Sequence, residues 1–294
     1  MPLPSLSSTP LSPAAAAPVP VPAHIAAITA ELNSAMTCST KSMSLPQKIR
    51  HLTAVRELFV KLFEETDKDP RVVLSDDDKV LAEFNAAMAD LERDITAARL
   101  KPSTSQSSLT VAVIDTETTG LGPQDEPVSV AAIVYEVAMP SGVMIREIET
   151  YYELREPSVA INPQAQAIHG LSLEMLRGRN IVPDTLIRIC YTVDVLIAHN
   201  AKFDRRMLKT LVPGIHTRTW ACSMLALRDR WADLPNRSLE TICEALNVAR
   251  PRPHNALTDC RSLAEVLFTH TGATTRSRTY MGLLASKPWA PPED

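Results

Sequence analysis

With 294 residues the chain is long enough for one sizeable domain and an appendage, or for two small domains. Its net charge of -4 excludes a protein that coats nucleic acid by bulk charge. No apolar run reaches the roughly 20 residues of a membrane span, and an odd count of 5 cysteines without a CxxC pair excludes a disulfide framework or a zinc site.

Those thiols, Cys38, Cys190, Cys222, Cys243 and Cys260, predict a reduced, cytoplasmic protein with mostly buried cysteines. The start carries no basic leader, so no secretory signal is predicted. Charge is uneven along the chain. From Lys202 to Lys287 bases outnumber acids, whereas the region before Leu100 leans acidic. A nucleic-acid partner therefore needs a local basic face, and the C-terminal half can supply one.

Residues 1–22 are Pro, Ala and Ser with almost no charge and predict a disordered tail. Residues 23–100 read as a small helical bundle or hairpin that packs on itself or on a protein partner. AHIAAITAELNSAM has helical spacing, and Ser44-Leu-Pro-Gln starts a second helix with the stripe Leu52, Val55, Leu58, Phe59, Leu62 and Phe63. Ser75 followed by Asp76, Asp77 and Asp78 predicts the capped start of a third helix, which carries Val80, Leu81, Phe84, Ala87, Met88 and Leu91. A polar linker, 101–108, follows.

The pattern then changes over 109–271. LTVAVID, VSVAAIVYEVAM and MIREIETYYEL read as strands, the last two joined at Pro140-Ser141-Gly142. Helical signals follow around 164–190, then the strand DVLIAH, a helix over 201–211 and the short strand HTRTWAC. Helices at roughly 222–231, 238–247 and 255–270 end the domain. This order predicts an α/β sandwich with a mixed central sheet flanked by helices. Residues 272–294 read as a tail whose apolar YMGLLASKPW could dock.

Asp115 and Glu117 end an apolar strand, where a core does not want charge, and their spacing of two puts both on one side. Paired carboxylates suit a hard divalent metal. Asp204 falls about one turn into the helix after DVLIAH. His254 and Asp259 are five apart and cannot face one point on a single helix. Pro251 and Pro253 resolve this by holding His254 on the loop before the helix that carries Asp259. Four acids at about 5 Å cost on the order of 3 kcal/mol per pair at an effective dielectric near 20. The site therefore calls for cations, and His254 is placed to take a proton from water.

IDTETTGL, AHNAKFD and HNALTDC, in that order, resemble the motifs of the DEDDh 3′→5′ exonucleases, and AHNAKFDRRML with WACSM is most similar to the exonuclease X branch. The resemblance covers roughly 109–270 and implies an RNase H-like fold with two Mg²⁺ or Mn²⁺ ions. It implies that Asp115, Glu117, Asp204 and Asp259 bind metal, that His254 is the base, and that the substrate is a single-stranded or frayed 3′ end, DNA before RNA. In INPQAQAIHGL it points to Gln164 and His169 as contacts of the terminal nucleotide. Thr116, Thr118, Leu121, Asn200 and Phe203 are the further substrate residues it implies. Ser129 stands where many relatives carry a glutamate in the second strand. An RNA or oligonucleotide substrate, or a nuclease recruited to a polymerase or repair complex through 23–100, are the alternative readings.

Overall fold

The computed structural model describes residues 22–67, 79–98, 107–272 and 278–285, with the short strands at 5–7 and 73–75. Most of the 1–22 tail, the linker over 101–106 and the ends of the 272–294 segment lie outside them, as do Asp76, Asp77, Asp78 and the side chains of Phe63, Val80 and Leu81. The chain divides into two compact units, Met1–Ala98 and Arg99–Asp294.

In the first unit, α1 (Ala23–Met36), α2 (Leu45–Asp67) and α3 (Lys79–Ala98) pack on one another. Ser44 and Gln47 close the start of α2, because the Gln47 side chain accepts from the Ser44 N–H at 2.9 Å. Ile25, Ile28 and Leu32 of α1 are buried, as is the α2 stripe Ile49, Leu52, Val55, Phe59 and Leu62, and the two helices pack on each other. The Phe59 and Phe84 rings lie 5.1 Å apart. Lys48, buried in its stem, pairs with Asp94 and ties α2 to α3. Ser75 belongs to β2 (Val73–Ser75), which pairs antiparallel with β1 (Ser5–Ser7), and α3 is described from Lys79, so the expected capped start of that helix lies outside the described residues.

The second unit is built on a five-stranded mixed sheet in the order β5-β4-β3-β6-β7. β3 (Ser108–Thr118), β4 (Pro127–Ala138) and β5 (Met144–Leu154) form an antiparallel meander, while β6 (Val195–Ala198) and β7 (Trp220–Cys222) add in parallel. β4 is buried along its whole length, consistent with cover on both faces.

The helical stretch after β5 is three short helices, α4 (Pro163–His169), α5 (Leu173–Leu176) and α6 (Pro183–Thr192). Gly170 and Gly178 take left-handed φ of 72° and 70° at the breaks, and Pro183 restarts the chain. α7 (Ala201–Met207) follows β6. The helix expected over 222–231 is only α8 (Ser223–Ala226) and a 3-10 turn, because Trp231 turns inward onto the Tyr280 ring at 4.8 Å. α9 (Leu239–Ala245) and α10 (Ala256–Phe268) complete the domain. The segment expected as a tail also contains α11 (Tyr280–Ala285), which buries Met281 and Leu284 in the same core as Val111, Ile133 and Leu263.

Alternation along β3 divides its side chains between two layers. Val111 and Val113 share a core with Ala256, Cys260, Leu263 and Leu267 of α10. α7 contacts both β3 and β6, and α6 contacts β4.

Candidate metal centre and the adjoining cavity

Continuing the alternation of Val111 and Val113 brings Asp115 and Glu117 onto the α10 side of the sheet end. Asp259, in the first turn of α10, meets them there. One carboxylate oxygen from each of Asp115, Glu117 and Asp259 lies within 4.8 Å of the other two. Asp204 of α7 falls outside that group of three. Its carboxylate accepts from Thr116 Oγ1 at 2.9 Å, one residue along the strand from Asp115. His254 is exposed on the loop before α10, as Pro251 and Pro253 predict, and its backbone is left-handed with φ 60°. For a residue with a Cβ that conformation costs roughly 1–2 kcal/mol. Its N–H donates to Asp259 Oδ2 at 3.1 Å, so the loop is held by one of the acids it serves to flank.

α10 is itself anchored at its start. The Asn255 side chain accepts from the Thr258 N–H and donates to Tyr152 Oη of β5, both at 3.2 Å. Asp259 therefore has a fixed position relative to the sheet.

The electrostatics of the group are unfavourable for anions alone. Burial, reinforced by the charges of Asp204, Glu117 and Asp259, raises the Asp115 pKa well above the carboxylate range. Burial, reinforced by the charges of Asp259 and Asp204, pushes Glu117 up to about 8. Asp204 is pushed up to about 7 by burial, against the hydrogen bond from Thr116. Hard oxygen donors in this state fit a divalent cation, and Asp115, Glu117 and Asp259 are the residues that would hold it.

One basic side chain enters the group. Arg250 donates from Nε to Asp259 Oδ1 at 2.9 Å and from Nη2 to Oδ2 at 2.8 Å, with both side chains nearly sequestered from solvent. In the sequence, Pro251 and Pro253 mark a non-helical lead to His254, and nothing there distinguishes Arg250. The missed signal was an arginine four residues before His254, and its target depends on how the loop folds back.

These shifts set a pH dependence. A carboxyl whose folded pKa is raised stabilises the fold below its unfolded value near 4.5, and that contribution is lost as pH rises through the folded value. Metal-free protein should therefore lose stability between about pH 5 and pH 8, by on the order of a few kcal/mol. Thermal unfolding in EDTA across this range should show the fall, and Mn²⁺ at pH 8 should reverse it. A flat profile in EDTA would mean that the acids ionise without cost.

A cavity of about 430 Å³ opens beside the acids. Thr116, Thr118, Leu121, Gln164, His169 and Phe203 line it together with Glu117. Of the expected substrate residues only Asn200 does not, and it faces a neighbouring cavity. α4 carries Gln164 and His169 at its two ends. Asn162 caps this helix by accepting from the Gln164 N–H at 2.8 Å, while the Asn162 N–H donates to Thr119 O at 2.8 Å. Burial holds the His169 pKa below its ordinary value, so the ring is neutral at pH 7. Leu121, 80% exposed, stands at the cavity with its apolar side chain presented to solvent.

Asp125, a residue the sequence reading did not single out, shapes the loop that carries Leu121. It accepts from Thr119 Oγ1 at 2.7 Å and from the Gly122 N–H at 2.6 Å. A Cβ on Gly120 would lie 2.7 Å from Asp125 Oδ2. Gly120→Ala should therefore break one of these bonds or shift the loop, costing about 1–3 kcal/mol. At about 2–4 °C per kcal/mol the melting temperature should fall by several degrees. An unchanged melting temperature would show that the loop yields freely. Ser129 faces Glu117 across the β3–β4 ladder, and its buried hydroxyl has no hydrogen-bond partner.

Carboxylates at the end of a central strand, joined by acids from the two flanking helices, define a phosphodiester-cleaving type of site on a mixed sheet. The family model described as exonuclease, RNase_T, matches residues 112–267, and the chain belongs to this exonuclease family. Its motifs place it in the DEDDh superfamily within that family. Exodeoxyribonuclease 10 of Escherichia coli K12 is 32% identical over 161 residues, 53% of this chain and 66% of that protein. DNA polymerase III PolC-type of Thermotoga maritima is 32% identical over 165 residues, 54% of this chain but only 12% of the polymerase. The chain thus spans a small part of the polymerase and just under two thirds of the exodeoxyribonuclease. A solved structure described as exonuclease X in complex with 5′ overhanging duplex DNA is 26% identical, covering 58% of this chain and 99% of that one, with a TM-score of 0.42. Among the described residues no helix is long and apolar enough to cross a membrane.

Proposed function

We propose that this chain removes nucleotides from the 3′ end of single-stranded or frayed DNA, releasing nucleoside 5′-monophosphates. The observation that carries the reading is the meeting of Asp115, Glu117 and Asp259 oxygens within 4.8 Å beside the cavity lined by Glu117. Asp204 joins them as the fourth acid, and the four would hold two Mg²⁺ or Mn²⁺ ions. Ions bound there neutralise the charge that builds on the reacting phosphate and acidify the attacking water.

The chain's own residues do the rest. The cavity receives the terminal nucleotide, with Leu121 against the base and Gln164 and the neutral His169 toward the sugar and its hydroxyl. Thr116 keeps Asp204 in place through their hydrogen bond. His254, on its exposed loop, accepts the proton of the water that attacks phosphorus. Relatives named as an exodeoxyribonuclease and a DNA polymerase support DNA over RNA. Five free thiols suit a reducing, cytoplasmic compartment. The three-helix unit is assigned to attachment of a protein partner, a role that polymerase-named relatives make reasonable.

The test is a gel assay on 5′-labelled single-stranded DNA and RNA of one sequence, with Mg²⁺, Mn²⁺ or EDTA. A metal-dependent ladder shortening from the 3′ end on DNA supports the reading. No ladder on either strand sinks it, and a faster ladder on RNA moves the substrate assignment. His254→Ala should lower kcat by about 10²–10⁴-fold while leaving Mn²⁺ affinity unchanged. Its loss should shrink as pH rises and hydroxide replaces the base. A pH–kcat profile parallel to that of the wild type would remove His254 from the proton transfer.

A further inference from the structure

We infer that a basic cavity next to the terminal-nucleotide cavity carries the phosphates of the nucleic-acid strand on the 5′ side of its reacting end, an assignment that rests on the nuclease reading above. The cavity is about 530 Å³ in volume. Lys202, Arg205, Arg206, Lys209 and His216 line it, and no acid does. This concentration of cations occurs in a chain of net charge -4.

Local structure explains the clustering. Lys202, Arg206 and Lys209 are four and three residues apart along α7 and the 3-10 turn that extends it, so they share a face. All three are exposed. Asp204, on the same helix, is buried toward the sheet. One short helix and the turn that extends it thus present an acid toward the sheet and three bases to solvent.

The cavity is continuous in lining with the site. Phe203 borders both cavities. Arg206 bridges them, with its guanidinium 5.4 Å from the Phe203 ring centre and Nη2 donating to Leu121 O at 2.8 Å. A strand whose last nucleotide lies beside Leu121 therefore leaves past an aromatic face, on which a base can stack, and enters a cationic trough. The trough also answers an electrostatic problem, since the acid cluster alone repels a polyanion. Contacts of this kind read phosphate charge and not base identity, so the trough positions any sequence. An acidic peptide shares the charge but not the path past Phe203, which favours the nucleic acid.

The test compares wild type with Lys202→Ala/Lys209→Ala, chosen because both side chains are exposed and neither touches the acids. Binding of fluorescent dT12 is measured in EDTA at several salt concentrations, and hydrolysis of the p-nitrophenyl ester of thymidine 5′-monophosphate is measured in Mn²⁺. The ester carries no 5′ strand, so it reads the carboxylate site alone. The variant should keep ester hydrolysis and its melting temperature. Its log affinity for dT12 should fall less steeply with log salt, by about 1.4 in slope for two lost phosphate contacts, which is roughly tenfold weaker binding at 0.15 M salt. Lys202→Glu/Lys209→Glu should lose more. Unchanged dT12 affinity and slope would overturn the inference. Weaker binding of an oligoglutamate peptide with dT12 unaffected would overturn it in favour of an acidic protein partner. If wild type cleaves neither the ester nor DNA, the nuclease reading fails, while the salt slope still decides what the cavity binds.

Discussion

Asp115→Asn is expected to abolish hydrolysis and, in EDTA, to make the protein more stable. The two effects have opposite signs because the carboxylate is kept for the metal at the expense of the fold. In the metal-free protein Asp115 is half-buried, and its desolvation, reinforced by the charges of Asp204, Glu117 and Asp259, raises its pKa well above that of a solvated carboxylate. An amide of the same shape removes that charge and one source of repulsion for each neighbour. The gain should be largest at high pH and should shrink as pH falls and the native carboxyl takes up its proton. With Mn²⁺ present the order should invert, since wild type gains binding energy that the variant has lost. Removing an ion ligand forfeits several kcal/mol of charge stabilisation in the transition state, so turnover should fall by at least about 10³-fold. Single-turnover assays on 5′-labelled DNA and thermal unfolding with and without Mn²⁺ measure both halves. Near-normal turnover would remove Asp115 from the metal centre. Lost turnover with a large drop in metal-free stability would make Asp115 a structural residue.

The acids were legible because they stand where hydrophobic physics forbids them. Asp115 and Glu117 interrupt a strand whose preceding residues are buried, so charge there needs another reason. The position of His254 was legible for a local reason too, since two prolines fix a non-helical lead into α10. What could not be read is tertiary. Asp125 looks like an ordinary loop acid until Thr119 and Gly122 fold onto it. The breaks between α4, α5 and α6 depend on single left-handed glycines. α11 looked like part of a tail because six residues carry little periodicity, and its burial depends on the core it meets. Ser129 was visible as a departure from related sequences. Its place opposite Glu117, with an unpartnered buried hydroxyl, is a property of β-sheet register.

Arg250 was invisible for the same reason, and replacing it carries the second large effect. Arg250→Met should destabilise the metal-free protein by about 3–5 kcal/mol near pH 8, because it leaves Asp259 as a buried charge without its bidentate partner. The acids beside it make matters worse, since Arg250 also lowers the pKa of Asp115 and Glu117. Proton uptake by the group offsets part of the loss, so the effect should be smaller at pH 5. A bound divalent ion supplies the missing positive charge. The metal-loaded variant should therefore recover most of its stability, and linkage requires that it bind metal correspondingly more tightly. Three kcal/mol of selective apo destabilisation corresponds to roughly 10²-fold tighter Mn²⁺ binding. Titration calorimetry with Mn²⁺ and urea unfolding in EDTA give the two sides of the cycle independently. Weaker metal binding in the variant would show instead that Arg250 orients Asp259 for the ion. Unchanged metal-free stability would show that the ion pair contributes nothing net, as exposed pairs often do. Tighter binding together with a less stable apo protein would identify Arg250 as the internal counter-ion that lets four acids fold together before the metal arrives.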